Sequence, residues 1–182
     1  MSNPFMKNHV ALTDVDIKNF LDSHKIQSQI LTLQELNENP FQADMNCVIF
    51  TGNTGNKYNT LPKKTITSVA GTFTADSKEL THHWMGLYGE NCFDSYGFYE
   101  DYTWPTDIKI TYVKCFPSRL QEYNSNVCGE YVLRFLYYCN CEHNSSSYKF
   151  LGKDFSTFCG FGIDRRENDK IVLDWYNETK KD

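Results

Sequence analysis

Gln121-Glu122-Tyr123-Asn124-Ser125-Asn126-Val127-Cys128-Gly129-Glu130-Tyr131-Val132-Leu133-Arg134-Phe135-Leu136 places a cysteine where a polar, turn-prone loop gives way to an apolar run. Val132, Phe135, Leu136 and Cys139 recur at intervals of 3, 1 and 3, the spacing of one helix face packed on a core, so a helix is predicted from Cys128 to about Cys139. A thiol in the first turn of a helix meets unpaired backbone N–H groups and the positive end of the macrodipole, surroundings that favour the nucleophilic thiolate. Free cysteine is most often a small core residue. A nucleophile at this position therefore requires a base, an orienting group and oxyanion donors from elsewhere in the chain.

Upstream, His83-Trp84-Met85-Gly86-Leu87-Tyr88 and Asn91-Cys92-Phe93-Asp94 flank Gly89-Glu90 and predict a β-hairpin. With a two-residue loop, Tyr88 faces Asn91, Leu87 faces Cys92, Gly86 faces Phe93 and Met85 faces Asp94. Alternation puts His83 on the face of Met85, which makes His83 and Asp94 diagonal neighbours. Such neighbours stand about 7–8 Å apart at the backbone, a gap that an imidazole and a carboxylate close together. An odd-length loop would send them to opposite faces. His82 is a second candidate base, directed to the other face.

His83, Asp94, Gln121 and Cys128 then supply the parts of a cysteine hydrolase. The imidazole takes the thiol proton and later protonates the leaving amine, and Asp94 fixes the ring's tautomer and orientation. The backbone N–H of Cys128 and the side-chain amide of Gln121 are the candidate oxyanion donors. Each residue also has a plain structural reading: His83 as a satisfied strand histidine, Asp94 as an Asx-type turn former, Gln121 as a loop amide and Trp84 as core.

Taken together, His83-Trp84-Met85, Phe93-Asp94-Ser95-Tyr96-Gly97, and Gln121 with Asn124-Ser125 and Cys128-Gly129 ahead of Phe135-Leu136 resemble the adenovirus-type cysteine proteases, the adenain family. They are more distantly similar to the SUMO and ubiquitin-like proteases of the same clan. The resemblance covers residues 83–97 and 121–136. It implies an α+β, papain-like core, a mixed sheet with the nucleophile-bearing helix packed against it. It also implies cleavage after small residues, typically glycine, with Trp84 and Gly129 as substrate-binding residues and Trp84 the wall of a narrow channel. Adenovirus enzymes usually carry glutamate where Asp94 stands, and the SUMO-protease side carries aspartate, which leaves the subfamily open. The implied partner is a polypeptide, either a viral structural precursor or a ubiquitin-like modifier. Activation by a peptide and by DNA, known in the adenovirus enzymes, has no motif here to carry it over.

The remaining sequence bounds these readings. With 182 residues, 40% hydrophobic and 15% aromatic, the chain fits one domain over 1–182 with a substantial core. A net charge of −5 gives no overall attraction to nucleic acid, although Lys57, Lys63 and Lys64 form a local cluster. No run has the length of a membrane span, and Met1 to Val10 lacks the apolar stretch of a signal peptide, so no membrane is expected. Seven cysteines in irregular spacing fit free thiols in a reducing, intracellular setting, which the resemblance implies is the host nucleus or cytoplasm or a virion. The sequons at Asn144 and Asn177 are then idle. Cys139, Cys141 and His143 crowd a helix end without a clear fourth ligand, and Gly52 to Lys57 lacks phosphate-loop spacing, so neither metal nor cofactor is assigned.

Elsewhere, Thr13-Asp14-Val15-Asp16 predicts a capped helix running to about Lys25 with Ile17, Phe20 and Leu21 inward. Strands are expected at 47–50, 65–74 and 108–113, a last helix from Asn168-Asp169 with Ile171, Val172, Trp175 and Tyr176 on one side, and an ambiguous segment at 30–36.

Overall fold

The computed structural model describes residues 9–32, 46–50, 83–97, 111–122, 125–143 and 151–180. The architecture is mixed helix and strand. Five strands, β1 (Gln29–Thr32), β2 (Asn46–Phe50), β3 (Trp84–Tyr88), β4 (Asn91–Phe93) and β5 (Thr111–Tyr112), form one sheet in the order β1-β2-β3-β4-β5. β1 runs parallel to β2 and β4 to β5, while the two central pairings are antiparallel. The helices are α1 (Asp14–Ser23), α2 (Cys128–Tyr137), α3 (Leu151–Cys159) and α4 (Arg165–Thr179). The expected strand at 65–74, the segment Gly52 to Lys57, the lysine cluster, His82 and the Asn144 sequon lie outside the described residues.

The hairpin has the expected register: Tyr88 pairs with Asn91, Leu87 with Cys92 and Gly86 with Phe93. Gly89 takes φ 60°, positive at the first loop position, a conformation open to glycine and suited to a type II′ turn. On the face of β3, Gly86 lets α2 come close, since a β-carbon there would lie 3.2 Å from Val132 Cγ1. The helix that begins at Cys128 thus sits directly on the strand that follows His83.

Phe93 stacks on Phe135 with centroids 4.8 Å apart, and Phe155 meets both edge-on, tying β4, α2 and α3 together. α1 is capped as its sequence requires, with Thr13 Oγ1 accepting the Asp16 N–H and the Asp16 carboxylate accepting the Thr13 N–H. Its buried Ile17, Phe20 and Leu21 complete the core, Phe20 stacking on Tyr176 of α4.

Two boundaries and one element differ from expectation. α2 ends at Tyr137 and continues as a π-helical turn, Tyr138–Glu142. There the Asn140 amide donates to Leu136 O at 2.7 Å, and the His143 N–H reaches Tyr138 O, five residues back. α4 begins at Arg165, because Asp164 caps it by accepting the N–H groups of Arg166 and Glu167. Asn168 and Asp169 therefore lie inside the helix and are buried. The segment 151–159, for which no element was expected, is helical, and the ambiguous region at 30–36 contributes to β1. Among the described residues, no helix is long and apolar enough to cross a membrane.

Candidate active site

His83 stands one residue before β3 and Asp94 one residue after β4, so the hairpin brings them to one end. His83 Nε2 lies 2.8 Å from Asp94 Oδ1, with both side chains buried. The Tyr96 N–H donates to the same oxygen at 2.9 Å and the Gly97 N–H to Asp94 O at 3.0 Å. Asp94 is thus a turn former and the partner of His83 at once. The Tyr96 ring packs on the imidazole, 4.9 Å between centroids, and carries the Arg119 guanidinium 4.8 Å from its own centroid.

Burial alone would depress the imidazole's pKa. The Asp94 carboxylate, by charge and hydrogen bond, and then Cys128, also by hydrogen bond and charge, override burial and raise it to about 10. Tyr96 moves upward, first because it is buried and then because of its ionisable neighbour Cys128, so it stays a neutral phenol.

Cys128 is the first residue of α2 and is buried against the hairpin. Val127, at the N-cap, offers no side-chain hydrogen bond, and the helix's first backbone bond runs from the Tyr131 N–H to Val127 O. The N–H groups of the first turn therefore have no partner within the helix.

Gln121 is fully buried and its amide is oriented by its neighbours. Oε1 accepts the Ser95 hydroxyl, and Nε2 donates to Ser125 O and Ser125 Oγ, each at 3.0 Å. Because Ser125 O can only accept, the amide's orientation is fixed. The Gln121 carbonyl accepts Arg119 Nε at 2.9 Å.

Trp84 and Gly129 also meet. The indole N–H donates to Leu12 O at 3.1 Å, and Leu12 covers Gly129 beside the Trp84 ring. The segment leading into α1 crosses the start of α2 at this point. His9 O accepts the Asn126 amide at 2.9 Å, and His9 Nε2 lies 2.8 Å from the carboxylate of the buried Glu130, whose pKa burial raises. At the other end of α2, Cys139 is buried and Cys141 exposed, and no group of three or more His, Cys, Asp or Glu among the described residues could hold a metal.

Four residues at or near the site were not given a role there from sequence: Ser95, Arg119, Ser125 and Asp169. For Asp169 a signal existed, since Val172, Leu173 and Tyr176 follow it at helical spacing and place a carboxylate on an apolar face. No family model, curated protein or solved structure matches the chain.

Proposed function

We propose that this chain is a cysteine endopeptidase with a papain-like core, cutting polypeptides after small residues, with viral structural precursors as the substrate class. The observation that carries the reading is the imidazole of His83 set between the Asp94 carboxylate, 2.8 Å away, and Cys128 at a helix start.

The chemistry follows from that order of groups. His83 holds the proton lost by Cys128, and the sulfur attacks the scissile carbonyl. The carbonyl π electrons move to oxygen, where the Cys128 N–H stabilises the charge, joined by a Gln121 side-chain N–H that must first leave Ser125, since Nε2 donates to Ser125 O and Oγ in the resting site. His83 then protonates the departing amine, and a water deprotonated by the same ring cleaves the thioester. A nucleophile only 4% exposed, beside Trp84, favours a substrate without bulk at the cut, which supports glycine there.

Cys128→Ala is expected to abolish turnover of capsid-precursor peptides, a loss of at least about 10⁴-fold. A thiol-directed probe should label the wild type and not the variant at this position. Full activity in Cys128→Ala ends the proposal, and equal labelling of the two proteins favours a non-catalytic module. Preferential cleavage of diglycine-ended ubiquitin-like substrates would move the assignment to an isopeptidase using the same residues.

A further inference from the structure

Asp169 is a buried carboxylate in α4 with no part in the chemistry above. Its Oδ1 accepts the Tyr131 hydroxyl at 2.8 Å and the Glu122 N–H at 3.4 Å, while its buried Oδ2 has no hydrogen-bond partner. The Ser125 hydroxyl, a neighbour that with Tyr131 lowers the carboxyl's pKa, donates in this structure to Glu122 O at 3.2 Å. Tyr131 Oη and Asn168 Nδ2 both reach Leu120 O at 3.2 Å. The residues on either side of Gln121 are therefore held by Asp169, Tyr131 and Asn168, and Glu122 O in turn holds the serine that grips the Gln121 amide.

We propose that Asp169 is a positioning residue for the oxyanion donor, fixing Gln121 through Glu122, Ser125 and Tyr131 when it is ionised. This rests on the peptidase reading. A phenol has one proton, and Tyr131 has two acceptors in reach, Leu120 O and Asp169 Oδ1. With Asp169 ionised, Tyr131 and the Glu122 N–H donate to the carboxylate, and Glu122 O in turn holds the Ser125 hydroxyl. With Asp169 protonated, the carboxyl itself donates, Tyr131 turns to Leu120 O, and the hold on residues 122 and 125 weakens.

Burial pushes the Asp169 carboxyl up to about 7, against the lowering effect of hydrogen bonds from Tyr131, Ser125 and the Glu122 N–H. The groups facing it are the Glu122 carboxylate from its own loop, Tyr131 from α2 and Tyr96 after β4. Arg166 stands 4.0 Å from Glu122 and offsets that charge.

The test compares kcat, KM and iodoacetamide alkylation of Cys128 across about pH 5 to 9 for wild type, Asp169→Asn and Tyr131→Phe, using a glycine-site peptide. Alkylation forms no oxyanion, so it reports the Cys128–His83 pair alone. Wild-type kcat should fall as pH drops through about 7, in a step that alkylation lacks. Asp169→Asn should lose that step and sit about 10- to 100-fold lower, with KM and the alkylation profile little changed. Tyr131→Phe should move the midpoint upward, because the lost hydrogen bond favoured the ionised carboxylate, and this holds the test open if Asp169→Asn fails to fold. A wild-type kcat profile in Asp169→Asn, an unmoved midpoint in Tyr131→Phe, or parallel losses of kcat and alkylation would overturn the inference. A wild type without any turnover overturns the peptidase reading and this inference with it.

Discussion

The β3–β4 hairpin and the turn ahead of α2 each hold one half of the site, by different means. His83 and Asp94 are 11 residues apart, joined through a two-residue loop whose register alone sets which side chains meet. Gln121 is held by Ser95, 26 residues away, and by Ser125, while its neighbour Glu122 reaches Asp169 across 47 residues. The His83–Asp94 pair thus inherits its geometry from local pairing. The surroundings of Gln121 are assembled by tertiary contacts, so under the proposed function damage there changes chemistry and folding together.

The largest break falls on the hairpin. His83→Ala is expected to lower kcat by at least about 10³-fold, and Asp94→Asn to leave residual activity on the order of 10² to 10⁴-fold below wild type. Both variants should keep the hairpin, which a near-native far-ultraviolet spectrum would check. The pair also predicts a pH dependence of stability. The His83 pKa is raised from 6.5 to about 10 in the folded state. Its contribution is therefore fully present below pH 6.5 and is lost as pH rises towards about 10. Thermal midpoints measured across that window should fall for the wild type and fall less for Asp94→Asn, and parallel curves would show that the carboxylate does not hold the proton on the ring.

Gln121→Ala comes next, with an expected loss of about 10²- to 10³-fold in kcat if the amide serves the oxyanion. It should also destabilise by about 1–3 kcal/mol, because the Ser95 hydroxyl and Ser125 O lose a buried partner. Alkylation of Cys128 separates the two effects. An alkylation rate that drops as far as kcat would mean that the fold, and not the oxyanion, was lost.

The same contrast explains what could be read from sequence. The hairpin, its register and the His83–Asp94 pairing were legible, because they depend on alternation and loop length. So were the Thr13 cap, the inward face of α1 and the start of α2 at Cys128. The partners of Gln121 were not, since no periodicity links Ser95 or Asp169 to position 121. Asp169 was misplaced for a specific reason: Asn168-Asp169 is a good capping pair, but Asp164 lies four residues before Asn168 and caps first. The end of α2 was hidden likewise, because Cys139 continues the apolar spacing while Asn140 bonds back to Leu136 O and widens the turn.

Trp84→Phe gives the smallest effect and tests whether the hairpin half is as self-contained as its register suggests. The ring's bulk beside Gly129 is largely retained, and only the indole N–H donor to Leu12 O is removed. Losing that bond costs about 0.5–1.5 kcal/mol, on the contact between the segment 9–12 and the start of α2. Hydrogen exchange at Leu12 and Thr13 should quicken, KM should change by a few-fold at most, and kcat should hold. If kcat falls instead by as much as in Gln121→Ala, the leading segment belongs to the catalytic geometry, and the hairpin depends on distant contacts no less than the turn ahead of α2 does.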